Sequence, residues 1–272
     1  MTPQPHTPLK PEQLHTDDIT LIGRLTEASN DVYLAHTAGH PVVYKPISGE
    51  TPLWDFPHGT LAAREAAAYL ISSAGGWDLI PTTVLREGPL GPGSVQEWIG
   101  PTPEQTGQLH HRPTSTPLIN LLPPTDLPPD WIPIARGTDH NGTPLTLATA
   151  DHPQLRSLAT LDAVLNNADR KGSHILLWNK HIWGIDNGLC LSETPKLRTV
   201  LWGWAGRPLP INDIEKLTTL QHTLESAPGK TLKELLTPTE ITALHQRITA
   251  LQHTQHHPRP AQDWPCLPWP AL

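Results

Sequence analysis

Cysteine is nearly absent. Cys190 and Cys266 are the only two in 272 residues, too few for a disulfide framework or a thiolate zinc site. Long apolar runs are missing as well: no stretch approaches the roughly 18 residues that span a bilayer, and no cationic start leads into a hydrophobic segment. A cytoplasmic protein without a membrane span is therefore expected. Positive charge is scarce, with 19 Lys and Arg against 26 Asp and Glu and a formal net charge of −7. No basic run exceeds a few residues, which excludes strong nonspecific nucleic-acid binding. The dispersed acids serve ordinary solubility. Proline is plentiful instead, 32 residues that cut strands short and fill connections with extended segments. Long irregular loops between modest elements are expected. The histidine pairs His110-His111 and His256-His257 lack a third ligand at metal spacing, so they read as surface residues.

One polar stretch concentrates the chemistry. It runs Asn166-Asn167-Ala168-Asp169-Arg170-Lys171-Gly172-Ser173-His174, and Ile185-Asp186-Asn187-Gly188 comes after it. Upstream, Leu158, Leu161, Val164 and Leu165 recur at helical spacing, so a buried helix delivers its last turn into the polar run. Downstream, Ile175 to Trp178 and His181 to Ile185 are two short apolar strands around an Asn179-Lys180 turn. That hairpin brings Asp186 back towards Asp169. Two acids and a metal-ligating side chain, converging from a loop and a hairpin end, are the parts that phosphoryl transfer needs. Taken singly each motif has a plainer reading. An Asp-Arg pair after a helix also serves as a cap or ion pair, and an Asp-Asn-Gly turn also closes hairpins.

The pattern Asn167-x-Asp169-Arg170-x-x-x-His174-x-Leu176, followed by Ile185-Asp186-x-Gly188, resembles the catalytic and metal-binding loops of phosphatidylinositol 3- and 4-kinase-like proteins and HipA-type kinases. The chain looks like a member of a bacterial kinase-like family defined by that similarity. The resemblance implies an α+β, two-lobed protein-kinase-like fold. Residues 1–100 would form the first lobe, an antiparallel sheet plus a helix ending in a hinge. Residues 101–272 would form a mainly helical second lobe, with a Pro-rich insertion at its start. It further implies ATP and a divalent metal, Mg²⁺ or Mn²⁺, held by His174 and Asp186. Asp169 would position or deprotonate the acceptor, and Arg170 would neutralise transferred charge. One ligand departs: those families have Asn where this chain has His174, and imidazole favours softer ions than Mg²⁺.

The first hundred residues fit the same reading. Residues up to about 17 have no period. Ile19 to Leu25 and Asp31 to His36 alternate as strands around a tip containing Ser29 and Asn30. With only Gly23 nearby, the tip resembles the Ser-containing phosphate loop of phosphatidylinositol-kinase-like folds, though an ordinary hairpin has the same pattern. Val42 to Ile47 follows as a strand carrying Lys45, which must emerge into a cleft or meet an acid because burying an unpaired ammonium is costly. In a kinase that Lys holds the α and β phosphates; a Lys snorkelling at a sheet edge is the alternative. The alanine-rich segment Thr60 to Ile71 is a helix ended by Gly75-Gly76. Its Glu65 is either the partner of Lys45 or a first-turn acid favoured by the helix dipole. Residues 80–99 give two more strands, and Glu97, Trp98 and Ile99 become the nucleotide-binding hinge in the resembled fold.

Trp131 to Ala135 and Thr143 to Ala148 read as a hairpin around His140-Asn141-Gly142. After Gly188 the chain reaches Pro208 to Pro210 within about twenty residues, leaving only a short activation segment before three short helices. Asn212 with Glu215, and Thr237-Pro238-Thr239-Glu240, are helix starts. Gly229-Lys230-Thr231 lacks the preceding strand and glycine of a P-loop. Trp264 and Trp269, in an extended tail, are expected to dock on the chain's own surface. The function expected is ATP-dependent phosphotransfer to a hydroxyl. The acceptor would be a soluble polyol or sugar-like compound, ahead of a protein and well ahead of a membrane lipid. The alternatives are a catalytically silent nucleotide-binding pseudokinase, or a protein or phosphoinositide kinase.

Overall fold

A computed structural model of the chain describes residues 8–15, 17–25, 30–101, 118–263 and 265–272. The first half is a five-stranded antiparallel sheet in the order β1-β2-β3-β5-β4, from β1 (Thr20–Arg24), β2 (Tyr33–Thr37), β3 (His40–Pro46), β4 (Thr83–Gly88) and β5 (Gly91–Glu97). Period-two alternation gives the sheet two faces. In the β2/β3 register Ala35 faces Val42 and Leu34 faces Val43. Ala35, Val42 and Tyr44 pack with Val84, Val95 and Leu14 of the short helix α1 (Pro11–His15). Leu34 and Val43 pack with Leu25, Val32 and Trp98 on the other side. Lys45, two residues beyond Val43, shares that second face.

Helix α2 (Leu61–Gly75) is alanine-rich, and its buried Ala66, Ala67 and Ala68 allow close approach. It ends where Gly76 adopts φ +76°, a left-handed C-cap that glycine makes without steric cost. This helix packs on β4 and β5 and also on two helices of the second half, α4 (Ile211–Thr223) and α5 (Ala227–Leu235). Ala67, Ala68 and Ile71 accordingly belong to one apolar cluster with Leu158, Leu161, Leu217 and Leu232. Arg64, only 2% exposed, pairs with the Glu240 carboxylate and donates to the Cys190 carbonyl at 2.8 Å. Glu240 lies in the first turn of α6 (Pro238–Thr254), where with Thr237 it also forms the expected capping box.

The second half contains more sheet than its sequence suggests. Beside the expected hairpin, β7 (Trp131–Thr138) with β8 (Pro144–Ala150), a third strand β6 (Ile119–Leu122) pairs with β8. Helix α3 (Pro153–Leu165) follows, then the hairpin β9 (Ile175–Trp178) and β10 (His181–Gly184). Asn179 and Lys180 have φ of 50° and 63°. Two positive φ angles in a two-residue turn match the right-handed twist of the flanking strands. Of the three closing helices α6 is 17 residues long, not short.

Two other expectations are corrected. Trp269 is 91% exposed, and it is the tail's main chain that docks: the Ala271 carbonyl accepts from Gly172 N at 2.8 Å, and the Cys266 carbonyl accepts from Thr199 N and Trp202 Nε1. Trp264, His110 and His111 lie outside the described residues. His257 is buried rather than on the surface, and burial, with Arg156 nearby, lowers its pKa from 6.5 to about 4. The folded state therefore resists protonating His257. Its contribution is intact above pH 6.5 and lost as pH falls towards 4. Replacing His257 with Leu is expected to remove roughly 2–3 kcal/mol of stability loss across that window, measured by urea denaturation at pH 7 and pH 4.

Candidate active site

The polar run begins where α3 stops. Asn166 takes φ 52° and caps the helix, a conformation asparagine tolerates. Its side-chain amide donates to the Ser192 and Thr194 carbonyls, and its oxygen accepts from Lys196 N at 2.8 Å. Asn167 Oδ1 then accepts from Asp169 N at 2.9 Å, an Asx turn that points the chain into the cleft. From here the backbone is extended, Arg170 bridging Thr199 in parallel, so successive side chains alternate sides.

Alternation separates two neighbours in function. Arg170 has no exposed surface and faces inward. Its guanidinium bonds Asp162 of α3 at 3.0 Å, the Ile185 carbonyl at 2.7 Å and Asn187 Oδ1 at 2.6 Å. Burial would lower its pKa, but Asp162 raises it above the ordinary arginine value. A Cβ on Gly184 would stand 3.0 Å from Leu158 Cδ1 and 3.2 Å from Arg170 Nη2, so a larger residue at the strand end would have to push these side chains back by a few tenths of an ångström. The expectation that Arg170 neutralises transferred charge does not fit this placement, since it lines neither cleft pocket. Lys171 does face the cleft, with Nζ 3.0 Å from Asp169 Oδ2. Sequence reading missed it, although residues two apart in an extended loop share a side.

Lys45, Glu65 and Asp186, which lie far apart in sequence, meet. The Lys45 ammonium contacts Glu65 Oε1 and Asp186 Oδ1, the latter at 2.8 Å. Glu65 Oε2 accepts from Asn187 N at 3.0 Å. Burial alone would depress the lysine pKa, yet Asp186 and Glu65 together hold it above the ordinary value. Lys45 is a fixed cation. Asp186 sits at φ 59°, a left-handed conformation that aspartate, like asparagine, adopts more readily than most residues.

His174 Nε2 lies 3.2 Å from Asp186 Oδ2, and Nδ1 lies 2.9 Å from the Asp169 carbonyl. A carbonyl only accepts, so that contact puts the proton on Nδ1. Burial lowers the His174 pKa, favouring the neutral ring. The Nε2 lone pair then faces a carboxylate, and a shared cation suits two facing acceptors. His174 and Asp186 could therefore hold a divalent ion. Among the described residues no group of three His, Cys, Asp or Glu is arranged for a metal, so further ligands would be phosphate oxygens and water.

Two pockets meet at Lys45 and Asp186. One, a narrow slot of about 30 Å³, is lined by Val43, Gln96, Trp98, Ile99, Leu176 and Ile185. The other, of about 190 Å³, includes Asn30, Asp31, Glu50, Thr51, Asp169 and Lys171. Residues 97–99 line the first, but the Glu97 carboxylate accepts from Leu9 N at 3.2 Å. Asn30 Oδ1 accepts from Thr51 N at 2.8 Å; Ser29 lies outside the described residues. Glu50, also missed, accepts from Leu61 N and Ala62 N and caps α2 from a distance.

These elements define an α+β protein of antiparallel sheets and helices, with a cleft holding a paired lysine and several carboxylates. No protein-family model matches the chain. It belongs to the family of Protein Rv2133c of Mycobacterium tuberculosis (strain ATCC 25618 / H37Rv), with which it is 40% identical over 262 residues, 94% of this chain and 92% of that protein. Among solved structures, the Helicobacter pylori proinflammatory kinase CtkA aligns over 88% of this chain and 92% of its own, at 11% identity and a TM-score of 0.45. Among the described residues no helix is long and apolar enough to cross a membrane.

Two outcomes are expected. Arg170→Lys replaces a planar fork by a point charge and leaves Asp162 undersatisfied, costing about 3–5 kcal/mol in urea unfolding. Burial raises the Glu97 pKa from 4.5 to about 7, so stability that is complete below pH 4.5 is lost as pH rises through 7. Glu97→Gln, which keeps the acceptor for Leu9, should remove roughly 2–3 kcal/mol of that decline, measured between pH 4 and pH 8.

Proposed function

We propose that this chain is an ATP-dependent phosphotransferase acting on a hydroxyl group. The observation that carries the reading is the contact of one buried ammonium, Lys45, with both Glu65 and Asp186 at the seam of two pockets. A fixed cation between an apolar slot and a polar pocket suits a nucleotide, with the phosphates beside Lys45 and the base entering beside Val43, Trp98 and Ile99 as that slot widens. A divalent ion on His174 and Asp186 would supply charge neutralisation for those phosphates.

The chain's own residues account for the rest. Asp169 orients the acceptor hydroxyl and takes its proton as the oxygen bonds to the γ-phosphorus. The bond to the bridging oxygen breaks and ADP leaves. Lys171 lies beside Asp169 and offsets negative charge on the transferred group, the part the sequence assigns to Arg170.

The acceptor is a small soluble molecule. Lys196 Nζ bonds the Asp55 carbonyl at 2.8 Å and its carboxylate at 3.0 Å, and lies 4.8 Å from the Phe56 ring centroid. This clasp ties the 50–59 loop to the segment after the metal loop. A peptide substrate usually rests on an extended activation segment, and the segment here is short. A bilayer substrate would want a basic or apolar face, and the net charge of −7 argues against one. A polyol or sugar-like compound fits better. The second reading, a silent nucleotide-binding module, is favoured by one feature, an imidazole in the metal position.

With γ-labelled ATP and either Mg²⁺ or Mn²⁺, Asp186→Ala is expected to lose metal-dependent nucleotide binding. Asp169→Asn should retain binding and lose turnover by roughly 10²–10⁴-fold. Turnover by both variants at the parent's rate sinks the assignment, and nucleotide binding without transfer in either metal favours the silent module. Presented with a metabolite extract, a protein lysate and phosphoinositide vesicles, the parent should label the extract. Label chiefly in the vesicles would overturn the acceptor class.

A further inference from the structure

Outside the cleft, one cavity has unbalanced charge. About 260 Å³ in volume and open to solvent on one side, it lies between the end of α3, helix α6 and the 258–261 stretch. Its walls are apolar, with Leu197, Trp202, Leu251 and Pro258 among them, and its charged lining residues are Arg247 and Arg259. Among the described residues no acid lines it, in a chain whose net charge is −7.

Among the described residues Arg247 forms no ion pair. Its Nε donates to the Val164 carbonyl at 2.8 Å and Nη1 to the Ser192 carbonyl at 3.3 Å. Nη2 is buried with no partner among the described residues. The nearby acid, Glu240, is committed to Arg64. Burial lowers the Arg247 pKa from 12.5 to about 10, the signature of a charge that lacks compensation. Arg259 is exposed at the same cavity, where its long side chain can close over a ligand.

An apolar chamber with two guanidinium groups and no carboxylate calls for a molecule with one negative end and a hydrocarbon body. A carboxylate matches the planar fork of arginine, and the apolar walls favour an anion that carries a hydrocarbon body over inorganic phosphate. We propose that this cavity binds an amphipathic monocarboxylate of roughly eight to ten carbons, a small ligand that suits a pocket just under the usual range for drug-sized molecules. Its head pairs with Arg259 in the positive potential of Arg247. Its chain lies against Trp202 and Leu251. The site is separate from the cleft and independent of the phosphotransfer reading.

Titration calorimetry of the full chain with decanoate, below its micellar concentration, tests the proposal against decanol and inorganic phosphate. One equivalent of decanoate should bind. Decanol and phosphate should each bind at least about tenfold more weakly, since each lacks one half of the recognition. Arg259→Glu and Ala250→Trp, both at exposed positions, should each weaken decanoate about tenfold or more while leaving the melting temperature unchanged. No decanoate binding up to about millimolar concentration, equal binding of decanol, or unaltered binding by both variants overturns the proposal.

Discussion

The Arg170 guanidinium is the constraint from which the cleft geometry follows. A charge removed from water must find all its partners inside the protein, or the fold loses several kcal/mol. Here the partners come from four places: Asp162 on α3, the His174 carbonyl, the Ile185 carbonyl at the hairpin end, and Asn187 in the turn beyond. Asp162 also receives Thr199 Oγ1 at 3.2 Å. One planar group thus fixes helix, loop, hairpin and turn against each other. Asp169, His174 and Asp186 occupy their positions because the residues beside them are bound to it.

The cleft charges are paired with each other. Asp186 divides its two oxygens between Lys45 and His174, and Asp169 leans on Lys171. Such pairing keeps the side chains in place, which reduces the reorganisation a ligand must drive. It also means that an incoming anion competes with carboxylates already seated. A cation between His174 and Asp186 would shift that competition by drawing Asp186 away from Lys45.

Much of this was legible in local patterns. Alternation marked β1 and β2, short apolar runs marked β3 and the β9/β10 hairpin, apolar spacing marked α3, and the order Lys45, Glu65, Asp186 anticipated their meeting. What could not be read depends on distant neighbours. β6 buries only Ile119 fully along its four residues, so it has no period to detect and owes its form to β8. The direction of Arg170 required knowing that the backbone after Asp169 is extended. His257 is buried by chain from elsewhere, and Trp269 stays in solvent because its neighbours' carbonyls make the contacts of the tail. Glu50 caps a helix eleven residues away, beyond the reach of capping rules that look one turn back.

Helix α2 belongs to the sheet on one side and to the main apolar cluster on the other, with Arg64 fastening it to α6. Amide hydrogens in such a segment exchange with solvent only when the whole structure opens, because neither half can peel away without exposing the apolar surface of the other. Its protection factors should therefore track global stability, like those of a single cooperative unit. Glu65 rides on that unit. The carboxylate that meets Lys45 is then either fully in place or lost with the fold, and thermal motion in the surrounding loops leaves it undisturbed.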